Sequence, residues 1–176
     1  MSELLEKARS YEAKKIAATD KESKPLFHIS APAGWINDPN GFSVYNGKIH
    51  LFYQYYPYLR EWGPMHWGHS TTSDMIKWEQ LPCVLAPDEE YDKKGCFSGS
   101  AIEADGKHVL VCTGVTRIKL PDGSEQERQN QCIAFGDGLN YVKRENNPVV
   151  TGAMLAENCS GVGCRARKIW REDEMR

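Results

Sequence analysis

Gly34-Trp35-Ile36-Asn37-Asp38-Pro39-Asn40-Gly41 puts a carboxylate, two side-chain amides and an indole just ahead of the first strand-like run. Pro39 fixes its own φ and drives Asp38 out of the right-handed helical region, while Asn40-Gly41 is a pair that tolerates positive φ. A carboxylate on so stiff a backbone is suited to nucleophilic attack. Taken alone, Asp-Pro-Asn-Gly is equally the composition of an ordinary turn. The flanking residues decide between the two.

Outward from this stretch, β signals dominate. Phe42-Ser43-Val44-Tyr45, an Asn46-Gly47 turn and Ile49-His50-Leu51-Phe52-Tyr53 spell a hairpin. Further strands are expected at 66–72, 77–85, 97–103, 108–114, 131–135 and 141–145. A weak repeat accompanies them: Asp74-Met75-Ile76-Lys77-Trp78 and Asp137-Gly138-Leu139-Asn140-Tyr141 lie 137 − 74 = 63 residues apart, each followed by a Pro-led apolar run. Pro121 to Arg128 is polar enough to be an exposed insertion. Ahead of the strands, residues 2–19 set seven charged side chains around Leu4, Leu5, Ala8, Tyr11 and Ile16, a pattern for one helix with a thin apolar stripe. The chain therefore divides into an N-terminal helix and linker, 1–24, and a mostly β portion, 25–176.

Charge and cysteines narrow the function classes. A formal net charge of −2 and no basic cluster give no reason to expect nucleic acid or an anionic membrane as partner. No apolar run approaches the roughly 18 residues of a membrane span, and the N-terminus is charged where a signal peptide is apolar. The six cysteines form no Cys-x-x-Cys pair, and several sit in apolar runs where a free thiol packs as a small hydrophobe. A reducing, cytoplasmic setting and a neutral small substrate follow. His66 and His69, three apart in a strand, point to opposite faces, and Ser98 lacks the Gly-x-Ser-x-Gly elbow. No metal or other cofactor is expected.

Four blocks in order carry a family resemblance: Phe27-His28-Ile29-Ser30-Ala31-Pro32 with Trp35 to Gly41; Leu51 to Pro57; Trp62 to Ser70; and Cys96 to Ala101. Together they resemble glycoside hydrolase family 32, the invertases and sucrose-6-phosphate hydrolases. The resemblance implies a five-bladed β-propeller. At roughly 40 to 50 residues per four-stranded blade, 176 residues hold about two blades and the start of a third. An N-terminal helix also resembles the family's bacterial, intracellular members. The resemblance further implies hydrolysis of terminal β-fructofuranosides such as sucrose by a retaining mechanism, with two carboxyl groups about 5 to 5.5 Å apart. Asp38 is then the nucleophile. Trp35, Asn37, Gln54, Trp62, Phe97, Ser98 and Arg165 are the sugar-binding positions.

The likeness breaks near the end. The family's Arg-Asp-Pro motif falls on Arg165-Ala166-Arg167, so Ala stands where a fructose-holding Asp belongs. The family's acid/base Glu lies in a Glu-Cys motif beyond Arg176, and Glu157 does not substitute for it. Three expectations result: a truncated β-fructosidase inactive alone, a non-catalytic fructoside-binding protein, or a non-functional fragment that leaves strand edges open.

Overall fold

The computed structural model describes residues 1–20, 22, 24–155 and 168–170. One helix, α1 (Glu3–Ala18), precedes eight strands: β1 (Trp35–Tyr45), β2 (Lys48–Tyr56), β3 (His66–Thr72), β4 (Glu79–Leu85), β5 (Gly95–Ala104), β6 (Lys107–Lys119), β7 (Glu125–Gly136) and β8 (Tyr141–Lys143). They form two four-stranded antiparallel sheets, β1-β2-β3-β4 and β5-β6-β7-β8. The mostly β fold and its single N-terminal helix are as expected. The described residues hold no further strand in which a third sheet would begin.

The two sheets are built alike. Each opens with a hairpin closed by two residues at positive φ: Asn46-Gly47 (49° and 72°) in the first, Asp105-Gly106 (51° and 73°) in the second, the backbone that suits the twist of a tight hairpin. Each passes from its third to its fourth strand through an aspartate turn. Asp74 Oδ1 accepts from the amides of Ile76 and Lys77, and Asp137 Oδ1 from those of Leu139 and Asn140. Those amide bonds hold both carboxyls below the usual carboxylate range. Met75 and Gly138, 63 residues apart, both take positive φ (61° and 92°). The sequence repeat is thus a structural one.

Pro121 to Arg128 is largely exposed as expected, but it is the tip of a long hairpin, with β6 and β7 paired without a break from His108↔Gly136 to Lys119↔Glu125. Leu120 and Ser124 close it, Gly123 turns at φ 83°, and Arg117 pairs with Glu125 across the strands. A two-stranded tip in water has no face to bury, so it carries no apolar alternation, and its cross-strand charges take over.

The sheets stack through Phe52, Trp67, Val84, Leu85, Cys96, Ala101, Leu110, Cys112, Cys132, Ala134 and Tyr141. Cys83, Cys96, Cys112 and Cys132 are free and buried. At the Tyr45 end of this interface three buried imidazoles meet: His50 Nδ1 and His69 Nε2 lie 2.9 Å apart, and His108 bonds Ser43 Oγ and the Tyr141 hydroxyl. His66 is separate from them, on Pro64 O.

The other face of the first sheet, Tyr53, Tyr55 and Cys83, receives α1 through Leu5 and Ala8. The helix is capped by Ser2, whose Oγ accepts from Leu5 N. Its buried stripe is Leu5, Ala8 and Glu12, whereas Leu4 and Ile16 are exposed. A carboxylate thus occupies a place the apolar pattern assigns elsewhere. The helix is too short and polar to cross a membrane, and no other described helix could.

Candidate active site

The motif that resembles a turn is the first half of β1. Pairing steps from Asn37↔Gln54 to Pro39↔Tyr53, so Asp38 is the extra residue of a β-bulge. Bulges re-aim a side chain out of the ladder. Asp38 takes φ 36° and Gly41 φ 59°, so the unusual backbone falls on the carboxylate itself as well as on the glycine. A Cβ at Gly41 would meet Phe52 Cδ2 at 2.7 Å, which makes glycine obligatory there.

Asp38 is exposed, and its surroundings come from both sheets. Its Oδ2 accepts from Ser98 Oγ (3.3 Å), and its main-chain oxygen accepts from Asn40 Nδ2 (3.0 Å). The Gly99 amide donates to Asn40 Oδ1 at 3.4 Å, tying β1 to β5. Behind Ser98, its carbonyl accepts from Thr113 Oγ1, which accepts in turn from Gln131 Nε2. Nearby, the Trp35 indole donates to Asn37 Oδ1 at 2.7 Å and fixes that amide's orientation. Trp62, half exposed, stands edge-on to Phe97 with centroids 6.1 Å apart.

Gln54 differs from the others. It is buried, and its Nε2 donates to Cys96 O (2.9 Å), an oxygen that also accepts from Trp67 Nε1 (3.1 Å). It therefore fastens β5 to the first sheet directly beneath Phe97. Trp35, Asn37, Asp38, Gln54, Trp62, Phe97 and Ser98 thus gather at one end of the two sheets. Arg165, with Ala166 and Arg167, lies outside the described residues. Asn40, Trp67 and Thr113 belong to the same hydrogen-bond system without having been singled out. The first two were visible inside the quoted motifs, whereas nothing local marks Thr113.

A carboxylate with a hydroxyl donor, oriented amides and two aromatic faces can hold a polyhydroxylated ring and attack it. The sequence profile of the glycosyl hydrolases family 32 N-terminal domain matches residues 28–174. The chain belongs to this family.

Family 32 relatives of known activity are close in sequence. A sucrose-6-phosphate hydrolase of Escherichia coli is 42% identical over 149 residues, covering 84% of this chain and 30% of its own. A raffinose invertase of Escherichia coli is 40% identical over 150 residues, with 85% and 30% covered. A Bombyx mori family 32 β-fructofuranosidase superposes at TM-score 0.80 with 42% identity over 95% of this chain and 34% of that one. An Asp-to-Ala mutant of the same enzyme, solved in complex with sucrose, superposes at 0.81 with 41% identity, covering 96% and 34%. The family 32 chain described here spans about a third of the length of these relatives.

Proposed function

We propose that this chain forms the nucleophile-bearing part of a family 32 site for terminal β-fructofuranosides, sucrose or sucrose-6-phosphate foremost. The observation that carries the proposal is Asp38 on its bulge, held between Ser98 and Asn40. Asp38 attacks the anomeric carbon as the bond from that carbon to the leaving sugar's oxygen breaks, the oxygen taking its proton from a general acid that the described residues do not supply; water then hydrolyses the fructosyl ester with retention. Asn37 and Ser98 hydrogen-bond the sugar hydroxyls, and Trp62 and Phe97 offer apolar faces to the ring. The two sheets act as the first two blades of a five-bladed propeller whose channel mouth is the site. Four buried free thiols fit a reducing, cytoplasmic setting.

A second possibility rests on Ala166 and Arg167 in the motif that pairs an Asp with Arg165 in the family. With that Asp gone, the chain retains the contacts of a fructoside-binding protein without turnover. One set of measurements decides: glucose release from sucrose, and saturation-transfer NMR with sucrose against maltose, on the wild-type chain and Asp38→Asn. Release abolished by Asp38→Asn establishes hydrolysis. Because the described residues lack the acid that glucose release requires, β-fructosyl fluoride, whose leaving group needs no proton, separates the two readings. Sucrose-selective binding with Asp38-dependent fluoride release supports the first, the same binding without it supports the second, and the absence of both binding and release overturns both.

A further inference from the structure

The outer edge of β4 presents backbone groups that no strand among the described residues pairs, and α1 lies along it. Cys83 N donates to Glu12 Oε2 (3.1 Å) and Cys83 O accepts from Arg9 Nε (2.7 Å). Two side chains one helical turn apart therefore do what a neighbouring strand does at one residue of an antiparallel ladder: one accepts and one donates. The same guanidinium reaches into the second sheet, with Nη1 on Asn140 Oδ1 (2.8 Å) and Nη2 on Leu139 O (3.1 Å). Open edges template pairing with other chains, and covering them with a helix is a recognised protection.

We infer that α1 is a releasable cap on the β4 edge, latched by Glu12, which docks most tightly in acidic solution and loosens as the pH rises to neutrality. Glu12 is 2% exposed, and its carboxyl lies buried beside the Tyr55 hydroxyl. The titratable and charged groups facing it are Arg9 on α1, Lys24 in the linker, Cys83 on β4 and Tyr53 and Tyr55 on β2. Burial is the largest influence. It outweighs the Cys83 amide, the Arg9 charge, the Tyr55 hydroxyl and the Lys24 charge and lifts the carboxyl from 4.5 to about 7.

The sign follows from linkage. The docked state holds the proton more tightly than the released one, so docking is strongest below 4.5, weakens between 4.5 and about 7, and levels off above. The latch uses none of the sugar-site residues and does not rest on their assignment.

Amide hydrogen exchange on the full chain, corrected for intrinsic rates, tests it at pH 5.5 and 8. Protection of the α1 amides and of Cys83 is expected to fall on the order of tenfold, while Val111 and Cys112 in β6 stay protected. Glu12→Gln should flatten the dependence, and the exposed Glu6→Gln should leave it intact. In the wild type, a carbon-13 titration of the Glu12 carboxyl with a midpoint near 7 supports the latch without any substitution. A midpoint near 4.5, pH-independent protection, an unchanged slope in Glu12→Gln, or loss of β6 protection in step with α1 would each overturn it.

Discussion

Asp38 takes φ 36°, in the left-handed region that costs most L-residues about 1 kcal/mol or more and that Asp and Asn tolerate better. The Asn40 side chain on the Asp38 carbonyl and the Ser98 hydroxyl on its carboxylate supply the opposing constraint. Asp38→Ala and Asp38→Gly remove the same hydrogen bond, but only the alanine keeps the strain. Asp38→Gly is expected to be more stable than Asp38→Ala by about 1 kcal/mol, measured as urea unfolding midpoints. Equal midpoints would remove the strain from this account. Proline and glycine betrayed the stiff turn chemistry in advance, and the family motif put Asp38 forward as the proposed nucleophile. That Asp38 rather than Asn40 takes positive φ was not legible, because the bulge depends on the register with β2. Nor was Gln54's burial, which arises from a carbonyl 42 residues away.

Among the elements, β3 was found to the residue at 66–72 and β4 to within two, 77–85 against Glu79–Leu85. The polar ends of β6 and β7 were missed because their partner is each other and not a core. The histidines show the same limit: sequence separated His66 from His69 by face but could not bring His50, His69 and His108 together from three strands. Burial, reinforced by the His50 charge, lowers His108 from 6.5 to about 4; His50 and His69 are lowered too, first by burial. The unfolded chain therefore binds more protons between 6.5 and 4, and stability present above 6.5 is lost as the pH falls through that window. His108→Asn is expected to be weaker than wild type at pH 7, since Ser43 and Tyr141 lose a partner. It should nevertheless decline less steeply on acidification, by up to about 1.4 kcal/mol per pH unit. Parallel denaturation profiles for the two proteins from pH 7 to 4.5 would rule out His108 as the titrating group.

For the molecule as a whole, cohesion between the sheets has a polar centre beside its apolar one. Lys143 on β8 turns back to the 86–94 connection, where Nζ meets Asp88, Asp92 and the Ala86 carbonyl. Ser2 at the start of α1 donates to that same Asp88. One ammonium thus joins the second sheet, the connection and, through Asp88, the helix. Asp92 is fully buried, and Lys143 and Asp88 nearly so. Buried ion pairs gain little over apolar packing, yet removing one partner strands the other in low dielectric at about 3–5 kcal/mol. Lys143→Met is therefore expected to destabilise the chain by that amount. Lys48→Met, which breaks the exposed pair with Glu79, should cost no more than about 1 kcal/mol. Adding Asp88→Asn and Asp92→Asn to Lys143→Met should restore part of the loss, because the uncompensated charges go with their partner. Urea unfolding of the single and triple variants decides the point. A triple variant weaker than Lys143→Met would mean that the hydrogen bonds of Asp88 and Asp92 to α1 and the connection, and not stranded charge, hold this junction together.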